Sequence, residues 1–312
     1  MENILLSLNV VMPICLMMLL GFVLRQVNII DESNVRFLNR LVFNVLLPIM
    51  LFINISESSL GSVFNKNLFG WVFISVSVLF AVLCLVVPRF EKDPQKIPVI
   101  IQGIYRSNFV IFGISIAASI YSYEEISVVA LLVALVSPMF NIMAAGIFAK
   151  YNKVKNTPAQ ILKDMLTNPL VIGSLLGLVA LLVCLKLPAM IHTPLSSLGS
   201  SASAIGLLAL GAGFKINNLR KNAIILAVTA AGKLLIVPLI FLPLSIFLGF
   251  RGVELVGLLV LFASPAAFSG YTMATQANAD GDLSGQIIVV SSVLSIVTVF
   301  VFVFVLKAMG FI

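Results

Sequence analysis

The chain has 312 residues, of which 61% are hydrophobic and only 10% are charged, and its formal net charge is +7. Soluble globular proteins carry about 25% charged residues, so this composition excludes a water-soluble enzyme and indicates an integral membrane protein. Lys and Arg in short loops orient membrane proteins, so the positive charge requires no nucleic-acid partner, and none is expected.

Ten apolar stretches are long enough to cross the hydrocarbon core as helices, which takes about 20 residues each. No basic segment precedes the first stretch, so we predict a retained span and not a cleaved signal peptide. The longest polar connection, near the middle, separates five spans from five. We therefore predict a first repeat over 1–150, a linker over 151–164 and a second repeat over 165–312. The ten spans cover 4–24, 37–55, 68–88, 97–120, 126–149, 165–185, 194–214, 222–249, 253–277 and 284–306.

Basic residues are distributed unequally between the two sides of this ten-span pattern. With the N-terminus outside, 13 of the 19 Lys and Arg residues lie in inner loops, 4 lie in outer loops, and Arg106 and Lys233 fall inside spans. Cytoplasmic loops carry the excess of basic residues. The pattern therefore predicts a multi-pass protein of the cytoplasmic (plasma) membrane with both termini outside and the central linker in the cytoplasm.

The two halves of the chain match each other at a nearly constant displacement. MPICLMMLLGFV (12–23) aligns with NPLVIGSLLGLV (168–179), and 107–150 aligns without gaps with 264–307. Because each half has an odd number of spans, the second half would enter the membrane in the opposite orientation. The sequence therefore predicts an all-α membrane protein with ten transmembrane helices in two inverted five-helix repeats, which is the architecture of many secondary transporters.

Spans four and nine occupy matching positions and are predicted to be crossed, broken helices that form the functional site. Each carries a central glycine, Gly113 or Gly270, between polar side chains, and Pro265 removes a backbone donor from span nine. Half-helix N-termini that point into a shared cavity favour an anion. Gly, Ser and Pro also serve as packing and kink residues in membrane helices, and that alternative stays open. The candidate substrate-binding residues are Ser107, Asn108, Gly113, Ser115, Lys233, Ser264, Pro265, Ser269, Gly270 and Tyr271.

The charged residues inside the spans are basic. All 12 Asp and Glu residues lie in loops or at span ends, so the sequence offers no carboxylate at mid-membrane depth for Na⁺ or H⁺. Lys233, central in span eight, indicates either a functional cation or a structural counter-charge. Arg106 lies about one turn inside span four and is either functional or extends to the interface. This balance of deep charges favours an anionic substrate.

Motifs for other chemistry are missing from the sequence. There is no GxxxxGK[ST] phosphate loop, HExxH or GxSxG pattern. The single His192 and the three cysteines have no metal-binding or disulfide spacing. We therefore expect no cofactor and no metal, and we predict that the chain is not an enzyme.

Four segments resemble the auxin efflux carrier family, which includes bacterial permeases for malate or malonate and belongs to the bile acid–sodium symporter-like superfamily. Span four departs from the family pattern, because RSNFVIFGIS (106–115) keeps Asn108 and Gly113 but has Ser115 at the proline position. Gly270 likewise stands where related carriers place the crossover proline. The four segments are LVFNVLLPIMLF (41–52), TNPLVIGSLLGLV (167–179), GKLLIVPLI (232–240) and SPAAFSGYTMATQANADGDLSG (264–285).

This resemblance implies a scaffold of spans 1, 2, 6 and 7 and a moving transport domain of spans 3–5 and 8–10. Spans four and nine would cross at the substrate site. The expected function is secondary-active transport of a small organic anion, such as a carboxylate, across the lipid bilayer by alternating access. A homodimer formed through the scaffold is also expected. The alternative is a channel or sensor built on the same scaffold without coupled transport.

Overall fold

The computed structural model describes residues 2–58, 65–109, 116–117, 123–151, 158–215 and 219–312. Within these ranges the regular secondary structure is helical, apart from one isolated β-bridge. The helices are α1 Glu2–Gln26, α2 Glu32–Ser56, α3 Lys66–Phe90, α4 Ile97–Tyr105, α5 Tyr123–Lys150, α6 Pro158–Leu166, α7 Pro169–Leu182, α8 Ala189–Gly213, α9 Ala223–Phe247, α10 Gly252–Ala263, α11 Ser269–Gln276 and α12 Gly281–Ala308.

Six helices in the described part of the chain are long and apolar enough to cross a membrane. They are α2, α3, α8, α9, α12 and the Val128–Lys150 part of α5. Shorter apolar helices occur at Met12–Gln26, in α7 and in α10. The prediction of an all-helical membrane protein is therefore confirmed, whereas the division into ten spans in two inverted repeats remains a prediction.

Large apolar side chains cover much of the outer surface of the helices. Phe73 and Leu85 of α3 are each 63% exposed, and Phe247 at the end of α9 is 87% exposed. Soluble monomers rarely expose contiguous apolar surface on this scale. Contact of these side chains with water is unfavourable, whereas contact with lipid chains is not. This surface is therefore suited to the hydrocarbon core of a bilayer.

Three pairs of helices at matching positions in the two halves have equal lengths. α2 and α8 each have 25 residues, as do α3 and α9, and the second member of each pair starts 157 residues after the first. α5 and α12 each have 28 residues and start 158 residues apart. This displacement is the one found in the sequence, so the helix boundaries support an internal repeat. The short helix α6 lies in the predicted linker.

Four helices from both halves form a closely packed group. α1 packs against α8, and the C-terminal part of α2 packs against α7. A Cβ atom added to Gly21 or Gly211 would clash with a backbone carbonyl of the facing helix, and a Cβ on Gly173 would lie 2.5 Å from the Pro48 carbonyl oxygen. Glycine therefore allows direct backbone contact. These helices occupy the positions of the expected scaffold spans 1, 2, 6 and 7.

Two of the long helices contain a π-helical turn immediately before a proline. The turns cover Val42–Leu46 in α2 and Gly232–Ile236 in α9, and they precede Pro48 and Pro238. In each case the backbone N–H of the residue before the proline donates a hydrogen bond to the carbonyl oxygen five residues earlier. Proline has no N–H and cannot continue the α-helical ladder, and a π-turn accommodates the irregularity. The turn in α9 carries Lys233.

Helices α10 and α11 are separated by an extended interruption in span nine. α10 ends at Ala263, Ser264 is extended, and helix resumes at Ser269. The cause is Pro265, which cannot donate a hydrogen bond and disfavours helical dihedrals in the residue before it. Gly270 lies in the first turn of α11. The interruption therefore lies at Pro265, about one helical turn before Gly270.

A second interruption follows α4 in span four. This helix ends at Tyr105, and Arg106 has extended dihedral angles. Ser107 then forms the β-bridge. Gly113 and Ser115, the other two residues predicted for this span, lie outside the described residues.

Candidate functional site

The two helix interruptions are held together by backbone hydrogen bonds. Ser107 and Ala266 form an antiparallel β-bridge, in which the Asn108 N–H donates to the Pro265 carbonyl at 2.8 Å. A second backbone bond of 3.3 Å completes the bridge. Polar backbone groups need such partners inside an apolar protein. The bridge therefore brings four of the predicted site residues together at one crossing: Ser107, Asn108, Ser264 and Pro265.

Lys233 contacts this crossing from the side of α9. Its side chain is fully buried, and the ammonium donates to Ser107 Oγ at 2.5 Å. The Ser107 hydroxyl donates in turn to the carbonyl oxygen of Leu261, in the last turn of α10. Lys233 is thus linked to the crossing through Ser107.

Arg106 lies at the crossing with its guanidinium group buried. The residue is 6% exposed, Nη2 donates to Asn141 Oδ1 at 2.7 Å, and Nη1 points at Met273 Sδ at 2.9 Å. A guanidinium has five N–H donors, and a thioether sulfur is a weak acceptor. Arg106 therefore keeps hydrogen-bonding capacity for a further acceptor. Its head group contacts α5 and α11, so it does not extend to the membrane interface.

Asn141 of α5 orients Arg106 and links it to α7. The Asn141 amide donates to Ser174 Oγ at 2.6 Å, and Ser174 donates to the Leu170 carbonyl at 2.6 Å. Asn141 and Ser174 are both fully buried. Neither was predicted as a site residue, although the isolated amide in the apolar span five was a usable signal. This network fixes the guanidinium orientation.

A small cavity of about 40 Å³ lies beside the crossing. This volume holds only a few water molecules, since one water needs roughly 10–15 Å³. No acidic side chain is found among the described residues around it, and apolar residues of α2, α5 and α7 form much of its wall. Its polar wall consists of Arg106, Ser107, Asn108, Ser137, Asn141, Ser203 and Ser269.

The predicted site residues thus occupy different positions. Ser107, Asn108 and Ser269 line the cavity, whereas Lys233 lies behind Ser107 and does not reach the cavity wall. Among the described residues, the atoms nearest to a Cβ added at Gly270 belong to a side chain and not to the backbone. A Cβ atom there would lie 3.4 Å from the Gln102 side chain, which is an ordinary contact.

A second, wider cavity of about 730 Å³ opens on the side of the molecule predicted to be cytoplasmic. Tyr271 lines this vestibule together with Asn39 of α2. Asn39 is 1% exposed. The basic side chains of the vestibule wall are Arg25, Arg36 and Lys215, and the acidic ones are Glu32, Asp280 and Asp282.

One aromatic side chain from each cavity wall rests against a glycine of α8. Phe268 lines the cavity and rests against Gly206 of α8, where a Cβ atom would lie 2.7 Å from the ring. Tyr271 lines the vestibule and rests against Gly213, two turns further along the same helix. The missing side chains at these glycines give the two rings room against the scaffold.

Comparison with known proteins places the whole chain among transporters. The model of the family described as membrane transport protein matches residues 6–303. An uncharacterized transporter of Methanothermobacter thermautotrophicus is 23% identical over 293 residues, covering 94% of this chain and 96% of the relative. An uncharacterized transporter of Methanocaldococcus jannaschii is 22% identical over 298 residues, with the same coverage of both chains.

Proposed function

We propose a function for this chain as a member of the membrane transport protein family, which is the auxin efflux carrier family that its sequence resembles. The protein is a secondary-active carrier for a small organic anion. The group it recognises is a carboxylate. The family match and the apolar surface make it an integral, multi-pass membrane protein. The substrate site in this proposal is the small cavity beside the crossing.

The observation that carries this proposal is the environment of Arg106. Its guanidinium is buried beside the cavity, with one amide oxygen and one sulfur atom as side-chain partners. A buried cation is costly unless it is paired, and a guanidinium matches the two oxygens of a carboxylate. An anionic substrate would supply the missing pair, while Ser107, Asn108 and Ser269 supply further polar contacts.

The cavity size favours a carrier that changes conformation over an open channel. About 40 Å³ is too small for a dicarboxylate, so substrate entry requires the walls to separate. We propose that α3–α5 and α9–α12 move as a transport domain against the glycine-packed α1, α2, α7 and α8. Phe268 and Tyr271 would then slide along Gly206 and Gly213 and open a path from the vestibule.

Membrane orientation and assembly complete the proposal. The basic loops favour both termini outside, which turns the vestibule toward the cytoplasm. In an inverted repeat, the equivalent opening on the other side would form when the transport domain moves. A homodimer through the scaffold helices and a location in the cytoplasmic membrane belong to the same proposal.

The test is uptake of radiolabelled malonate and malate into proteoliposomes by wild-type protein and by Arg106→Gln. Loss of a buried charge pair costs about 2 kcal/mol or more, so we expect at least a roughly 30-fold loss of anion affinity. Arg106→Lys should retain part of the affinity because the charge survives without the planar geometry. The matched control is Arg89→Gln, since Arg89 is exposed at the end of α3.

Two results would contradict the proposal. Unchanged affinity in a folded Arg106→Gln protein would remove Arg106 from the substrate site. Flux of either anion that does not saturate, and that shows no counterflow against unlabelled substrate, would favour the channel over the carrier.

A further inference from the structure

We propose that Lys233 binds the proton that couples anion transport to a proton gradient. Binding of the anion beside Arg106 causes the Lys233 amine to take up one proton, so that anion and proton cross the membrane together. This inference rests on the proposed function, because it requires an anion in the small cavity.

The first support is the isolation of the Lys233 side chain. It is fully buried, and Ser107 Oγ is its one hydrogen-bond partner among the described residues. An ammonium has three N–H donors, so it is incompletely satisfied in this position. Burial in an apolar environment favours the neutral amine over the cation.

The charged and titratable groups on the surrounding helices do not change this balance. The turn that carries Lys233 packs against α4, α10 and α12 and against the rest of α9. In α4 the Tyr105 hydroxyl donates to the Phe140 carbonyl at 3.3 Å, and Arg106, just after α4, is itself a cation. In α10, Glu254 is at the opposite end from Leu261 and accepts from Asn65 at 2.7 Å. The charged residues of α12, Asp282 and Lys307, lie near its two ends, and α9 has no other titratable residue.

The second support is the position of Ser107 between Lys233 and the cavity. Ser107 accepts the hydrogen bond from Lys233 and also lines the cavity wall. An anion in the cavity is therefore separated from the lysine nitrogen by one small side chain. A nearby negative charge favours the protonated form of a lysine. Arg106 cannot serve in this way, because a guanidinium keeps its proton in proteins.

The chemistry balances without any further reactant. The nitrogen lone pair of Lys233 accepts a proton from water as the anion binds, and releases it as the anion leaves on the other side. Proton binding and anion binding then strengthen each other by the same factor. The affinity for the anion should rise as the pH falls, by up to about tenfold per pH unit. A fixed lysine counter-charge predicts no such dependence.

The experiment is calorimetric titration of the purified protein with malonate and malate at pH ~8, in two buffers with different ionisation enthalpies. At this pH carboxylic acids are ionised and an ordinary lysine is protonated, so neither the ligand nor an ordinary lysine exchanges protons. Wild-type protein should take up about one proton per bound anion. Lys233→Met should bind without proton uptake, and its affinity should not depend on pH.

A second variant and a control make the result specific. Lys233→Arg carries a permanent charge and should bind the anion without proton uptake, which keeps the test valid if the Met variant fails to fold. Lys186→Met removes an exposed lysine and should behave as wild type. Anion binding by wild-type protein without proton uptake, or uptake that persists in either Lys233 variant, would overturn this inference alone. Failure of wild-type protein to bind either anion would overturn the proposed substrate class together with it.

Discussion

Arg106 and Lys233 lie on opposite sides of the same short backbone segment. Arg106 contacts Asn141 and Met273 and borders the cavity, whereas Lys233 contacts Ser107 from behind. The two basic side chains can therefore have separate roles, one in contact with the anion and one that responds to it through a hydroxyl group. Arginine suits the first role because its fork binds a carboxylate with two hydrogen bonds, and lysine suits the second because it can lose its proton.

The glycines near the crossing should differ in their tolerance of a methyl group. Gly270→Ala places a Cβ atom in ordinary contact with Gln102, so transport and thermal stability should stay close to wild type. Gly213→Ala places the methyl group against the Tyr271 hydroxyl, so uptake should fall strongly. The measurements are uptake rate and melting temperature of both variants. Loss of uptake in a stably folded Gly270→Ala protein would contradict the prediction that a methyl group is tolerated beside Gln102.

At the scale of helices, glycines allow direct backbone contact between α1 and α8 and between α2 and α7. α1 and α8 approach each other at Gly21 and Gly211, and α2 and α7 approach at Gly173. Backbone contact of this kind leaves little freedom for sliding, because every displaced atom meets another main chain. The aromatic contacts of Phe268 and Tyr271 against α8 involve a side chain on one face only, so relative movement is easier there.

The scaffold contact predicts a clear difference between two alanine substitutions. Gly211→Ala forces α1 and α8 apart and should lower the stability by about 1–3 kcal/mol, the usual cost of overpacking. Gly70→Ala is the matched control, since this exposed glycine in α3 has no neighbouring atom within 4 Å of an added Cβ. Thermal unfolding in the same detergent measures both. Equal melting temperatures for the two variants would contradict direct contact between α1 and α8.

At the scale of the whole molecule, the orientation in the membrane decides which side the vestibule faces. The basic residues favour a cytoplasmic vestibule. Single cysteines in a variant without Cys15, Cys84 and Cys184 test this directly. Lys92→Cys, in the exposed loop before α4, should resist an impermeant thiol reagent added to intact cells. Lys186→Cys, in the exposed loop after α7, should react rapidly.

The reverse labelling pattern would place both termini inside and turn the vestibule outward. Permeabilised cells provide the control, because both cysteines should then react. A cysteine that fails to react in permeabilised cells is buried, and Pro94→Cys in the same exposed loop as Lys92 can replace it.

The sequence predicts the helices of this molecule better than its site. Each of the six helices long enough to cross a membrane coincides with a predicted apolar stretch, because length and apolar composition suffice to define a span. The interruption of span nine follows from Pro265, whose missing N–H is visible in the sequence and ends α10. The partner of Arg106 could not be predicted, since Asn141 is 35 residues away and its contact depends on how α4 and α5 pack. The hydrogen bond between Lys233 and Ser107 could not be predicted either, because it joins residues 126 positions apart in the two halves of the chain.

The bridge between Ser107 and Ala266 also has a consequence for how the protein is made. Its two sides are about 160 residues apart in the chain, and translation adds about 5–20 residues per second, so the first side waits roughly 8–30 s for its partner. During that time the nascent first half carries an unpaired backbone segment and a buried-type arginine, both costly in lipid. The crossing can therefore close only after α10 and α11 have been synthesised.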